Sequence, residues 1–305
     1  MNFDLTEDQL ALRDGIRAVV EGRFPMERVR SGFDRSVHTE LAAAGCFSLR
    51  QDGFSWADAT VVYEELGRGA VPGPLVWCFG RERITTGLDA TVGGSALIEF
   101  LGLVEDVVMV GLEQARVVDA SAIVAGDPEA WPLDPLTPVW RTENHGVSGP
   151  PFELSVAELR AQGALLTAAY CVGMADRLTE MAVAYALERQ QFDRPIGSFQ
   201  AIKHLCADMA VRAELARVAT HAAACVMDDP RTGELDRALS GAKLLAGEAA
   251  VLNGRSATQV YGGMGFTWEV DVHLYLKRAW VLDTHFGSGD HHADAIATTM
   301  PMVQS

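Results

Sequence analysis

No Cys-x-x-Cys pair occurs in this sequence, and its cysteines are odd in number and scattered. This pattern argues against a disulfide framework and against a structural zinc site. We therefore expect reduced thiols and a cytoplasmic location. The five cysteines are Cys46, Cys78, Cys171, Cys206 and Cys225.

Long apolar runs and basic clusters are also missing. No segment approaches the roughly 18 uncharged apolar residues that a membrane span needs. The opening Met-Asn-Phe-Asp-Leu-Thr-Glu carries acids where a signal peptide would have basic residues. Lys and Arg number 25 against 41 Asp and Glu, which gives a net charge of −16. Because an acidic surface repels polyanions, we do not expect nucleic acid as a partner.

What is present is typical of a soluble globular protein, since 49% of the 305 residues are hydrophobic. The first 80 residues predict helices. Thr6 is the expected start of the first helix. A second is predicted over Val37–Ala44, ending at Gly45, and a third over Trp56–Leu66, ending at Gly67.

The sequence pattern changes after about residue 85, from helical periodicity to short β-prone runs. Short β-prone runs at 107–110, 116–119 and 122–124 are separated by Gly, Asp and Pro, which predicts a small antiparallel β segment. From about residue 155, apolar residues at steps of three and four predict three long helices, packed as an up-and-down bundle. The predicted fold is α+β and mostly α, with a helical domain (1–80), a reduced β domain (81–155) and a four-helix bundle (156–305).

Two segments combine residue types that can contact a bound ligand. In Arg189-Gln-Gln-Phe-Asp-Arg-Pro-Ile-Gly-Ser-Phe-Gln200, the arginine offers a planar fork of donors for a pyrophosphate, and Gln200 adds a neutral donor and acceptor. Phe192 offers a flat apolar surface. In Gln259-Val-Tyr-Gly-Gly-Met-Gly265, the paired glycines let backbone approach a cofactor closely. Alone, the first segment is more often surface and packing, and the second can be a helix C-cap.

Taken together and in this order, the motifs resemble the flavin-dependent acyl-CoA dehydrogenase family over more than two thirds of the chain. The opening Phe3-Asp-Leu-Thr-Glu-Asp-Gln-Leu resembles the family's first helix. Glu64-Glu-Leu-Gly-Arg68 resembles the end of its N-terminal helical domain. The family pattern Arg-x-x-Phe-Gly followed by Ile-x-x-Phe-Gln is matched at Arg189, Phe192, Ile196, Phe199 and Gln200.

The resemblance implies FAD as the cofactor and an acyl-CoA substrate. In this family the two segments reach across a dimer interface to the flavin dinucleotide held mainly by the neighbouring subunit. An electron-transfer flavoprotein is the implied electron acceptor. The implied cofactor-binding residues are Arg189, Phe192, Gln200, Gln259, Val260, Tyr261, Gly262 and Gly263.

The departures from the family are equally informative. The segment 81–155 is short and holds neither the Thr-Glu-Pro-type loop nor the Trp-Ile-Thr-type strand that surround the flavin ring. The two family positions for the catalytic base fall at Gly287 and near Gly163, and neither holds an acid. We therefore assign no catalytic residue to this chain. Three nearby acids, each more typical of a solvated or capping residue, are Asp283, Asp290 and Glu158.

One polar cluster near the C-terminus invites a metal interpretation. Neighbouring histidines in a polar terminal segment are more often merely exposed, so we expect no metal there. The cluster consists of His285, Asp290, His291, His292 and Asp294.

Three hypotheses follow. In the first, this is the short subunit of a heteromeric α2β2 enzyme, like the base-less subunits of actinobacterial steroid degraders, and it lends FAD contacts to a full-length partner. In the second, it is a self-contained homomeric dehydrogenase with Asp290 as the base. In the third, it is a helical scaffold that has lost the cofactor, although a drifting scaffold has no need to keep Arg189 and Gln200.

Overall fold

The architecture was examined in a computed structural model that describes residues 5–89, 95–143 and 149–299. Phe3 and Asp4 of the opening motif lie outside these ranges. In chain order the helices are α1 (Glu7–Arg23), α2 (Met26–Arg30), α3 (Arg35–Ala43), α4 (Trp56–Arg68), α5 (Leu75–Cys78), α6 (Val156–Glu188), α7 (Gln200–Asp228), α8 (Leu235–Tyr261), α9 (Val272–Leu282) and α10 (Gly289–Thr299). The strands are β1 (Thr85–Asp89), β2 (Ser95–Glu99), β3 (Asp106–Val110), β4 (Ala115–Asp119), β5 (Val139–Glu143), β6 (Gln190–Gln191) and β7 (Arg194–Pro195).

The chain folds into two compact units. The first comprises Met1–Met26, Ser55–Val71 and Ala164–Ser305, and the second comprises Glu27–Phe54 and Pro72–Gly163. The mostly helical α+β fold predicted from the sequence is confirmed. The domain boundaries at 80 and 155 stay a prediction.

In the first unit, helix α1 begins where the sequence predicts. The backbone N–H of Gln9 donates to the Thr6 hydroxyl (3.2 Å), and the Thr6 N–H donates to the Gln9 side chain (3.1 Å). This reciprocal capping box satisfies two N–H groups that a helix start otherwise leaves unpaired. Thr6 is therefore a true N-cap.

Helix α4 does not end at Gly67 as predicted, because it continues to Arg68. Gly67 is a packing residue inside the helix. A Cβ added there would lie 1.9 Å from the Tyr170 carbonyl oxygen of α6. Gly173 of α6 has the reciprocal role, since its added Cβ would lie 1.8 Å from the Glu64 carbonyl oxygen. Two glycines thus bring the backbones of α4 and α6 into contact.

The long helices of the first unit are joined at a buried asparagine. The Asn253 amide of α8 donates to the carbonyl oxygens of Ala175 in α6 (3.1 Å) and Met209 in α7 (2.9 Å). Its oxygen accepts from the Arg212 guanidinium (2.9 Å). Because a buried amide left unpaired is costly, this network fixes the register of all three helices.

The second unit carries the β-structure. Strands β3 and β4 are antiparallel, as predicted, but β1 pairs with β3 in parallel, and β2 pairs with β5 in a separate antiparallel ladder. The description of the segment as antiparallel was therefore wrong for β1. The strand predicted at 122–124 is also absent, because the Asp119 carboxylate accepts from the Ser121 N–H (2.9 Å) and starts a 3-10 turn over Ala120–Ala122. Strands β1, β2 and β5 were not predicted.

Helix α3 of the second unit, predicted at 37–44, spans Arg35–Ala43, and Gly45 follows it with φ +76°. That left-handed conformation is the usual reason for glycine after a helix. All five cysteines are free thiols, as predicted. Among the described residues, no helix combines the length and apolarity required to cross a membrane.

Candidate cofactor site

The two predicted cofactor segments lie at one end of the helical bundle, where α6 and α8 both terminate. Tyr185, in the last turn of α6, stacks on Tyr261, the last residue of α8, with ring centroids 4.0 Å apart and planes 13° from parallel. The Tyr185 hydroxyl also lies 3.6 Å from the Met264 sulfur. These contacts bring the segment starting at Arg189 next to the segment starting at Gly262.

The connection from Arg189 to Gln200 is held tightly against the end of α6. The Ile196 N–H donates to the Arg189 carbonyl oxygen (2.8 Å), which closes a small hairpin formed by β6 and β7. A Cβ added to Gly197 would lie 2.9 Å from the Ala186 carbonyl oxygen, so this position requires glycine. The hairpin therefore places Gln200, the first residue of α7, beside the end of α6.

Most of the predicted binding residues present their side chains or backbone to solvent. Arg189, Phe192, Gln200, Gln259, Gly262 and Gly263 are exposed, and Tyr261 is half-buried. Val260 is buried with 4% of its surface exposed, so its side chain belongs to the core and only its backbone could contact a ligand. The predicted set is thus brought together on a surface, with Val260 as the exception.

The tip of the hairpin holds two non-glycine residues in left-handed conformations, Phe192 at φ +54° and Asp193 at φ +60°. Such conformations cost of order 1–3 kcal/mol each and recur at binding sites. Phe192 keeps 85% of its surface exposed and meets the Phe199 ring edge-on at 6.0 Å. The strained turn thus presents an aromatic ring to solvent.

The arrangement fits a dinucleotide pyrophosphate. Within the described part of the chain, the Arg189 guanidinium has no hydrogen-bond or ion-pair partner. Helix α7 begins at Gln200 without a side-chain cap, so its first N–H groups remain available as donors. A helix N-terminus and a free guanidinium both favour a bound anion. These residues could hold the phosphates of FAD, and Phe192 could contact an aromatic ring.

Sequence reasoning missed two parts of this surface. Tyr185 was not singled out from the apolar pattern of α6, although it joins the two segments. Trp268 was not considered, although 61% of its surface is exposed and the Lys277 ammonium lies 5.1 Å from its ring centroid. Its place three residues after the glycine-rich segment was the available signal.

A cavity of about 390 Å³ lies elsewhere in the first unit and is lined by charged side chains of α1, α4, α6 and α7. Its arginines are already neutralised. Arg17 pairs with Glu65 (2.6 Å), and Arg217 pairs with Asp176 (3.2 Å). Arg68 also pairs with Asp176 (3.3 Å). These guanidinium groups are occupied by carboxylates. The cavity therefore has fewer free donors for an anion than the surface around Arg189.

The positions predicted to correspond to the family's base carry glycines in distinctive settings. Gly287 has φ +110°, and Gly163 is buried. Among the nearby acids, Glu158 accepts from the Ser155 N–H (2.9 Å), and hydrogen bonds from Ser155 lower the pKa of its carboxyl group. It is a capping residue. Asp290 is exposed in the first turn of α10, and Asp283 is partly buried.

The polar C-terminal cluster is organised around a buried histidine. His292 has 5% of its surface exposed, and its ring nitrogens lie 3.2 Å from the Ser240 hydroxyl and 3.1 Å from the Phe286 carbonyl oxygen. The expectation that these histidines are all exposed was wrong for His292. Across the described ranges, no group of three potential metal ligands occurs.

Comparison with known proteins bears on the whole chain. Residues 156–300 match the family described as "Acyl-CoA dehydrogenase, C-terminal domain". The acyl-CoA dehydrogenase IpdE2 of Mycolicibacterium smegmatis is 31% identical over 300 residues, with 90% of this chain and 93% of IpdE2 covered. The chain belongs to the acyl-CoA dehydrogenase family. These enzymes are oxidoreductases that act on acyl-CoA.

Other similarities are local in sequence or confined to the fold. The acyl-CoA dehydrogenase FadE34 of Mycobacterium tuberculosis is 46% identical over 128 residues, and the match spans 42% of this chain but only 18% of FadE34. The structure of the ChsE4–ChsE5 complex from Mycobacterium tuberculosis has a TM-score of 0.82 at 21% identity, covering 99% of this chain and 100% of that one. The Tcur3481–Tcur3483 steroid enzyme variant has a TM-score of 0.77 at 19% identity, covering 96% and 97%. These neighbours confirm the acyl-CoA dehydrogenase fold.

Acidification is expected to destabilise this acyl-CoA dehydrogenase homologue through His292. Burial, aided by the nearby Lys243 and His291, lowers the pKa of His292 to about 4. An unfolded histidine titrates near 6.5, so between about pH 6.5 and 4 the unfolded chain binds more protons than the folded chain. The contribution of His292 to the free energy of unfolding should therefore be fully present above about pH 6.5 and decrease as the pH drops towards 4. After allowance for solvent screening we expect a loss of about 1–2 kcal/mol.

Urea unfolding at pH 7, 6, 5 and 4 measures this effect. In His292→Gln the decline should be shallower than in the wild type, although burial also lowers the pKa of His38, so part of the slope remains. The exposed His204 provides the control, because His204→Gln should retain the full decline. Equal slopes for wild type and His292→Gln would contradict the assignment.

Proposed function

We propose that this chain is the non-base-bearing subunit of an FAD-dependent acyl-CoA dehydrogenase. In this proposal it lends cofactor contacts to a full-length homologue, which supplies the flavin-ring pocket, the acyl-CoA site and the catalytic base. The pair catalyses α,β-desaturation of the acyl-CoA.

The observation that carries the proposal is the exposed and unpaired Arg189 beside the start of α7. Arg17, Arg68 and Arg217, which line the charged cavity of the first unit, are held by carboxylates, whereas the Arg189 guanidinium is available to an anion. Its surface location supports contact with a group held by another subunit. The surface-exposed Gln200, Gly262 and Gly263 lie around the same bundle end and share that accessibility.

Each residue of this surface has a distinct chemical part. Arg189 would donate two parallel hydrogen bonds to the pyrophosphate, and Gln200 with the free N–H groups of α7 would donate to the same anion. Gly262 and Gly263 would allow backbone contact, and Phe192 would cover an aromatic face. When bound, FAD supplies the acceptor for the hydride that leaves the substrate's β carbon.

The proposed division of labour follows from the base positions. Removal of the α proton requires a positioned carboxylate, and its loss typically lowers the rate by about 10²–10⁴-fold. Glycine stands at 287 and at 163, and Glu158 serves as a helix cap. Asp290, the base of the self-contained alternative, is exposed to solvent in the first turn of α10, so its carboxylate is open to water. We therefore assign the base to the partner.

The partner and substrate are proposed by analogy with heteromeric neighbours. ChsE4–ChsE5 is a complex, and Tcur3481–Tcur3483 is a steroid acyl-CoA dehydrogenase. We accordingly propose a heterotetramer with an acyl-CoA of steroid origin, with electron-transfer flavoprotein as the acceptor. The free thiols favour a reducing compartment, and we propose the cytoplasm.

The visible absorption spectrum tests the proposal. The purified chain should be colourless alone and yellow when co-purified with a full-length acyl-CoA dehydrogenase homologue from the same organism, with about one flavin per pair by the shared-site reasoning. A yellow chain that oxidises an acyl-CoA by itself would overturn the proposal. Asp290→Asn separates the alternatives, because it should abolish turnover only if the chain is self-contained.

A further inference from the structure

The turn between α9 and α10 leaves no room for a side chain at Gly287. Gly287 has φ +110°, a conformation that L side chains rarely adopt. A Cβ added there would lie 2.7 Å from His291 Cδ2 and 2.8 Å from His292 Nε2. Both the backbone conformation and the neighbouring rings therefore exclude a side chain at this position.

The ring that blocks Gly287 is fixed by two hydrogen bonds. The Phe286 carbonyl oxygen can only accept, so His292 Nε2 carries the proton that is donated to it over 3.1 Å. Nδ1 then accepts from the Ser240 hydroxyl over 3.2 Å. Each polar atom of the neutral ring has a partner, so the imidazole cannot swing away without leaving a buried group unpaired.

A buried lysine holds the same turn from below. Lys243 of α8 has 1% of its surface exposed, and its Nζ donates to the carbonyl oxygens of Asp283 (3.1 Å) and Gly287 (3.4 Å). The two carbonyls stand at opposite ends of the turn, so one ammonium group ties both ends to α8. Burial lowers the pKa of Lys243, and the Cys171 thiol and the Asp283 carboxyl are the titratable groups that act on it.

We propose that the turn at 283–288 is a closed structural joint in which Lys243 positions the turn and His292, in the first turn of α10, occupies the space that a side chain at residue 287 would need. The absence of a carboxylate would then be built into the packing of three elements, and a single Gly287→Glu substitution could not restore a base. This inference deepens the proposed function and rests on it for its functional meaning. The packing itself can be tested separately.

A double-mutant cycle on the full chain tests the occupancy by His292. Thermal unfolding is measured for wild type, Gly287→Ala, His292→Ala and the double variant. We expect Gly287→Ala to lower the midpoint strongly in the wild type and less when His292 is alanine, because the overlap with the buried His292 ring is then gone while the backbone strain and the His291 contact remain. Equal shifts in both backgrounds would overturn the proposal. Gly45→Ala calibrates the strain alone, since Gly45 has φ +76° and open space around its Cβ.

The role of Lys243 is tested by amide hydrogen exchange. Lys243→Met keeps the apolar stem and removes the three donors. We expect faster exchange in residues 283–292 of this variant, with unchanged exchange in α1 and α4. Protection equal to the wild type throughout the turn would overturn the positioning role. Lys243→Arg, which restores donors at nearly the same reach, should recover part of the protection.

These outcomes are distinguishable from failure of the proposed function. If the cycle shows coupling but no co-expressed homologue recruits flavin, the closed joint stands and the shared cofactor site fails. If the pair is yellow but the cycle is additive, the reverse holds.

Discussion

Replacing Gly173 by alanine is expected to destabilise the protein by about 3 kcal/mol or more, because the new methyl group would overlap backbone rather than a movable side chain. Its Cβ would stand 1.8 Å from the Glu64 carbonyl oxygen and 2.8 Å from the Arg68 nitrogen. Helices α4 and α6 would have to separate by more than an ångström, which would open gaps along the rest of their contact. Urea unfolding followed by circular dichroism measures the loss.

The control for this experiment lies in α8. Gly241 has nothing within 4 Å of its added Cβ, so Gly241→Ala should be neutral or stabilising by about 0.5–1 kcal/mol. Gly67→Ala should resemble Gly173→Ala, since its Cβ meets the Tyr170 carbonyl oxygen at 1.9 Å. The double variant should lose less than the sum of the two, because one separation of α4 from α6 relieves both overlaps. A Gly173→Ala protein with wild-type stability would refute the close-contact geometry.

Gly67 shows which helix boundaries can be predicted from sequence and which cannot. Helix starts depend on local chemistry, so Thr6 and Gln9 announce α1 correctly. Gly45 likewise announces the end of α3. Gly67 carries an identical local signal, but its cause is the neighbouring helix α6, about 100 residues away along the chain. Nothing within α4 distinguishes a terminating glycine from a packing glycine.

The prediction of the β segment is incomplete for a related reason. Valine-rich β3 and its neighbour β4 were predicted, since both are locally β-prone and β3 is buried. Strand β1, Thr-Thr-Gly-Leu-Asp, contains a glycine and has no clean alternation, and its parallel partner is reached through a connection that includes β2. Pairing of that kind is decided by tertiary contact.

For the candidate site, the residues with ligand-binding chemistry could be identified from the sequence, but the residues that hold them in place could not. Arg189, Gln200 and the paired glycines were identified from their types and spacing. Tyr185 acts through a contact with Tyr261, 76 positions away, so no local pattern indicates it. His292 was named in the polar cluster, but its burial depends on a contact with Ser240, 52 positions away, and was not predicted. Val260 was included because it lies within a motif, although successive residues of a helix point about 100° apart and the Val260 side chain is buried in the core.

Substitution of Arg189 by lysine is expected to raise the dissociation constant of FAD for the purified pair by about 10–100-fold. A charge-assisted pair of hydrogen bonds is worth about 1.5–3 kcal/mol, and each 1.4 kcal/mol changes affinity tenfold. Lysine keeps the positive charge but presents a point donor in place of a planar fork, so the test isolates bidentate geometry from charge. Equilibrium dialysis of the reconstituted pair, read by flavin absorbance, gives the constant.

The matched control is Arg237→Lys at the opposite end of α8. Arg237 is also exposed, and among the described residues it has no ion-pair partner. Tyr261 lies 24 positions after Arg237, which places them about 36 Å apart along the helix axis, several Debye lengths at physiological salt. Flavin affinity should therefore be unchanged in Arg237→Lys. If both variants bind FAD like the wild type while the pair remains yellow, the cofactor is held without this chain's arginine.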